Sequence, residues 1–91
     1  MQRRRNPRTA PPSVETIFGQ VLRELRLAHG LTQESLAFAS EYHPTYIGQL
    51  ERGKKSPSLR TIMRLAGVLD TPGSEMLKRL EALLKTDHEH D

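Results

Sequence analysis

Leu31–Gly53, LTQESLAFASEYHPTYIGQLERG, decides the fold. It reads as two short helices joined by a tight turn. Thr32 can cap the first, its hydroxyl accepting from a backbone N–H that has no partner inside the helix. Leu36, Ala37 and Ser40 then share one small-to-apolar face. Pro44 opens the second helix, because its fixed φ suits the first helical position. Ile47 and Leu50 lie at i and i+3 and point inward, which leaves Thr45, Tyr46, Gly48 and Gln49 outside. Gly53 supplies the positive φ that turns the chain out of this helix.

Outward from this stretch, the pattern is helical throughout. One helix is expected from just after Ser13 to near Ala28, with Phe18, Leu22 and Leu25 as its buried stripe, widened by Ile17 and Val21. Gly30 is its stop signal. The second helix covers about Gln33 to Ala39 and the third about Pro44 to Arg52. Ser58 caps a fourth, with Leu59, Ile62, Met63, Ala66 and Leu69 expected inside. Thr71 and Pro72 open a fifth that runs to about Lys85. No strand pattern and no repeat is visible, so the fold class is all-α, five short helices around one core.

Bulk properties narrow the function. Ninety-one residues make one domain with a small core. The absence of cysteine removes disulfides, thiolate metal sites and a cysteine nucleophile, and agrees with a reducing cytoplasm. Apolar runs are too short to span a membrane, and the Arg-rich start lacks the apolar segment of a secretory signal. Two Phe, two Tyr and no Trp argue against base stacking as a binding mode. The net charge of +3 is unevenly placed: +4 over residues 1–13, +2 over 14–86 and −3 over 87–91. Residues 1–13 read as a disordered basic arm whose Arg3, Arg4, Arg5 and Arg8 would add a salt-sensitive contact to an anionic polymer. Residues 14–86 form the domain, and 87–91 a flexible acidic tail. The tail's Asp87, His88, Glu89, His90 and Asp91 lack the fixed scaffold a metal site needs. No cofactor and no catalytic residue set is expected.

Two helices set this way, with the second polar on one side, are how a helix-turn-helix presents side chains to the major groove. The wording agrees. GLTQESLA (30–37), TYIGQLERG (45–53) and SPSLRTIMRLAGVL (56–69) resemble the lambda-repressor-like (XRE-type) helix-turn-helix family, in the right order and spacing from about Phe18 to Leu77. Within it the chain is most similar to restriction–modification controller proteins.

The resemblance implies a DNA-binding transcriptional regulator of double-stranded DNA. Pro44, Thr45, Tyr46, Gly48 and Gln49 would sit where family members read bases. Gln49 can pair with adenine and Thr45 can meet thymine, whereas Pro44 stands where a polar residue is usual and cannot hydrogen-bond. Gln33, Lys54 and Lys55 would hold phosphates, Arg52 would belong to the DNA-binding surface, and His43 would cap the third helix or face the backbone. Arg26 and Glu51 occupy positions that pair in the family, as a brace. Glu41 stands where the family favours glycine in a left-handed conformation. Phe38 falls on the outer side of the second helix.

Met76, Leu77, Leu80, Leu83 and Leu84 form a strip on the fifth helix. Met76 and Leu77 would join it to the core, and the other leucines would make a homodimer suited to a palindromic operator. Two alternatives carry different partners. An antitoxin would bind a toxin protein as well as DNA, and a bridging factor would contact the transcription machinery with little sequence preference.

Overall fold

The computed structural model describes residues 12–89. Five helices follow in order: α1 (Val14–Ala28), α2 (Gln33–Ser40), α3 (Pro44–Glu51), α4 (Leu59–Val68) and α5 (Gly73–Glu89). The expectations for residues 1–11, 90 and 91 lie outside the described residues. The fifth helix differs from its expected extent, since α5 continues to Glu89 rather than ending near Lys85.

Polar side chains start the helices. Ser13, Thr32 and Ser58 each accept from the backbone N–H three residues on, at 3.0–3.1 Å. At α2 the Ser35 hydroxyl also accepts from the Thr32 N–H at 2.8 Å, so a serine does the work of the more usual glutamate in a reciprocal cap. Thr71 does not cap α5. Its hydroxyl donates to the Leu69 carbonyl, and the Pro72 carbonyl accepts the first helical bonds instead.

One device ends the first four helices. A residue at positive φ follows each, and its N–H and the next residue's N–H bond back to carbonyls of the last turn. Gly30 and Gly53 adopt this conformation without a β-carbon to clash, at φ 69° and 73°. Glu41 and Asp70 adopt it at 64° and 50°, a local strain of roughly 1–2 kcal/mol each.

The core takes Ile17, Phe18, Val21, Leu22 and Leu25 from α1 and two or three residues from each other helix. α1 lies against both α3 and α5, and α2 against α3 and α4. Gly19 makes the α1–α3 approach possible: a β-carbon there would lie 2.4 Å from the Leu50 carbonyl oxygen and 2.5 Å from that of Glu51. Any side chain at Gly19 would therefore push α3 off its seat.

Two expected faces are corrected. In α4 the buried residues are Thr61, Leu65 and Ala66, with Leu69 just beyond, while Leu59 and Met63 are exposed. Apolar residues occupy most of this helix's circumference, and the polar-looking Thr61 turns inward because hydroxyls from Tyr42, Tyr46 and Ser58 meet its own. In α5, Met76 and Leu80 are buried and Leu83 and Leu84 pack against the core, whereas Leu77 is exposed. Met76 and Leu80 share the face turned inward, and Leu77 lies a quarter turn away.

Candidate nucleic-acid interface

α3 is held from behind by an ion pair. Arg26 donates from Nε to Glu51 Oε2 at 2.6 Å and from Nη2 to Oε1 at 3.0 Å, the parallel geometry that suits a guanidinium and a carboxylate. Both side chains are nearly buried, 8% and 2% exposed. The Glu51 hydrogen bonds, reinforced by its charge, hold the Arg26 pKa above its ordinary value against the opposing effect of burial. Arg26 Nη1 also donates to the Leu31 carbonyl at 2.8 Å, so one side chain ties α1 to the entry of α2 and to the end of α3.

Gln33 joins this network. Its Nε2 donates to Glu51 Oε1 at 3.0 Å. A carboxylate only accepts, so the amide nitrogen must face Glu51 and Oε1 must face the other way, toward Gly48. The first residue of α2 is thereby fixed relative to the last residue of α3.

At the front of α3, His43 is the cap: its Nδ1 accepts from the Thr45 N–H at 3.0 Å. The bond requires that nitrogen unprotonated. Pro44 and Thr45 are exposed and Gln49 is half-buried. Tyr46 and Gly48 do not stand outside as their spacing suggested. Tyr46 is half-buried, its ring 5.1 Å from that of Tyr42 and its hydroxyl 3.4 Å from that of Thr61. Gly48 is buried under neighbouring side chains. Arg52, Lys54 and Lys55 are exposed just past the helix, so positive charge borders the outward face.

Between α2 and α3, Glu41 keeps the left-handed conformation that the turn demands, and its carboxylate lies 3.9 Å from Arg64. Arg64 also stands over the Tyr42 ring at 5.4 Å from its centre. The geometry of the turn is therefore kept despite the missing glycine. Phe38 is 87% exposed on the outer side of α2.

The helix pair α2–α3 lies inside a match to the helix-turn-helix family model that spans residues 22–76. This chain belongs to the helix-turn-helix family. Its function is that of the family, DNA-binding transcriptional regulation. The control protein C.BamHI of Bacillus amyloliquefaciens is 35% identical over 66 residues, 71% of this chain and 82% of its own length. Among solved structures, the restriction–modification controller protein C.AhdI of Aeromonas hydrophila is 49% identical, with 67% of this chain and 92% of that one covered, at a TM-score of 0.65. The clp gene regulator ClgR of Corynebacterium glutamicum superposes with a TM-score of 0.82 at 26% identity, over 88% of this chain and 85% of that one. The likeness to controller proteins that the motifs suggested is thus found by overall sequence as well.

Sequence reasoning missed the Gln33–Glu51 bond and the burial of Gly48. The one available signal was the glycine itself, a poor helix former in mid-helix with no need of positive φ.

Proposed function

We propose that this helix-turn-helix regulator binds a palindromic operator as a homodimer, lays α3 in the major groove, and serves as the controller of a restriction–modification operon. The observation that carries the reading is the division of α3 into two sides. Its inner side is locked through Glu51, Ile47 and Leu50, while Thr45 is exposed and Gln49 half-buried, with Arg52, Lys54 and Lys55 exposed at the border. Gln49 can give adenine two hydrogen bonds, and Thr45 can offer a hydroxyl or a methyl to thymine. Pro44 contributes shape only. Phosphates are met by the start of α2 and the basic residues after α3. No cofactor and no catalysis belongs to this reading, and the work is done in the cytoplasm.

A single recognition helix reads too few base pairs for selectivity, so a second copy is needed. Val14 and Leu27 on α1, Leu59 and Met63 on α4, and Leu77 on α5 are large apolar side chains that stand exposed. Val14 and Leu77 border a groove of about 160 Å³ floored by Phe18, Ile62 and Leu80. This apolar face, with Leu83 and Leu84 beyond it, suits a two-fold contact that sets two α3 helices about 34 Å apart.

Selection of bound duplexes from a random pool at physiological salt tests the reading. A two-fold symmetric site with half-sites one helical turn apart is expected, and a pool with no enriched sequence overturns it. Phe38 supports a second reading, an antitoxin whose α2 meets a toxin protein. A stoichiometric second protein that co-purifies from the native host would favour it.

A further inference from the structure

Gly48 is helical, buried and in mid-helix, where alanine would be the better helix former. Its reason lies above it. A β-carbon at this position would stand 3.1 Å from Arg52 Nη1, 3.9 Å from Arg52 Cζ and 3.5 Å from Gln33 Oε1. The Arg52 side chain therefore folds back along α3 and rests its guanidinium across bare backbone. Gln33 Oε1 comes to the same spot, and Glu51 holds its amide in that orientation.

We propose that Gly48 is a positioning residue: its missing side chain seats the Arg52 guanidinium beside the Gln33 amide oxygen, so that α2 and α3 are preset to share one DNA phosphate. Packing against bare backbone leaves the Arg52 guanidinium less room to rotate than a side chain that projects freely into solvent. A guanidinium fixed before binding loses less conformational freedom on contact than a free one. The other glycines do different work. Gly19 admits a neighbouring backbone and Gly53 supplies a positive φ, while a β-carbon at Gly67 would meet nothing. At Gly48 the space is filled by two polar side chains on the side of the molecule that carries Lys54 and Lys55 and the N-terminus of α2.

The inference rests on the DNA-binding reading. The test uses the full chain and a labelled mixed-sequence duplex, with affinity followed as salt is raised, for the wild type, G48A, R52A and the double variant. G48A should bind roughly ten-fold more weakly, as for a lost charge-assisted hydrogen bond. Its slope of log affinity against log salt should be shallower by about one. Its melting temperature should stay level or rise, because alanine favours the helix. In the R52A background G48A should have no further effect. Equal weakening by G48A with and without Arg52, or affinity equal to the wild type, overturns the assignment. So does a fall in melting temperature, which would give the glycine a packing role. A wild-type chain that binds no duplex even at low salt sinks the DNA-binding reading, and this inference with it. Binding without coupling between positions 48 and 52 sinks the inference alone.

Discussion

The Tyr42 hydroxyl donates to the Thr61 hydroxyl at 3.1 Å, so the turn that leads into α3 is bonded to the inner face of α4. Tyr46 closes on the same oxygen from α3 at 3.4 Å, and Ser58 donates to it at 3.0 Å. Thr61→Val keeps the shape and removes the oxygen. Two half-buried tyrosines would lose a partner and be left to reach for water. We expect a loss of about 1–3 kcal/mol in urea unfolding, with helix content unchanged. Stability equal to the wild type would make the cluster incidental.

Glu51 serves Arg26 and Gln33 together, so Glu51→Ala removes three hydrogen bonds and leaves a buried guanidinium without its counter-charge. The expected cost is about 3–5 kcal/mol, toward the lower end because Arg26 keeps the Leu31 carbonyl. For a domain of this size that is a large part of its stability. Thermal unfolding is the measurement, and an unchanged transition would reduce the pair to a surface contact.

Glu41 holds a left-handed conformation that glycine would hold without strain. Its contact with Arg64 is long and exposed, and contributes little. Glu41→Gly should therefore raise stability, by about 1 kcal/mol. A decrease would show that the Arg64 contact or chain entropy outweighs the strain.

Much of this architecture was legible beforehand. The starts of α1, α2, α3 and α4 follow from Ser13, Thr32, Pro44 and Ser58, and the end of α3 from Gly53, because caps and turns depend on residues close in sequence. The Arg26–Glu51 brace was read from family resemblance alone, since a bond across 25 residues leaves no local trace. What was misread depends on long-range packing. α4 is apolar on too many sides to declare which one faces inward. Leu77 and Leu80 differ only in how α5 settles against its neighbours, and the half-burial of Tyr46 depends on a tie to Thr61 that spans 15 residues.

Gln49 has no side-chain hydrogen bond among the described residues, so changing it should cost the fold little. Gln49→Ala is expected to lower affinity for the best operator by roughly 1–3 kcal/mol and to leave binding to random duplexes nearly unchanged. Competition between the two duplexes measures the difference. A uniform loss on both would assign Gln49 to the phosphate backbone.

Leu77 is 40% exposed and Leu80 is 7% exposed, so a charge at each should act differently. Leu77→Glu should leave the monomer folded while abolishing dimers in sedimentation at micromolar concentration, together with tight operator binding. Leu80→Glu should unfold the chain, because it buries a carboxylate in the core. A wild-type protein that sediments as a 10.3 kDa monomer would remove the dimer from the reading.

The separation of duties along α3 has a consequence over evolutionary time. Ile47, Leu50 and Glu51 anchor the helix and cannot drift without endangering the fold, whereas Thr45 and Gln49 carry no structural obligation. On the proposed reading, such a scaffold could be readdressed to a different operator by exchanging two side chains, one gene duplication at a time, with each intermediate still folded. Neighbouring regulators built on this frame could then diverge in a shared cell until they ignore one another's sites.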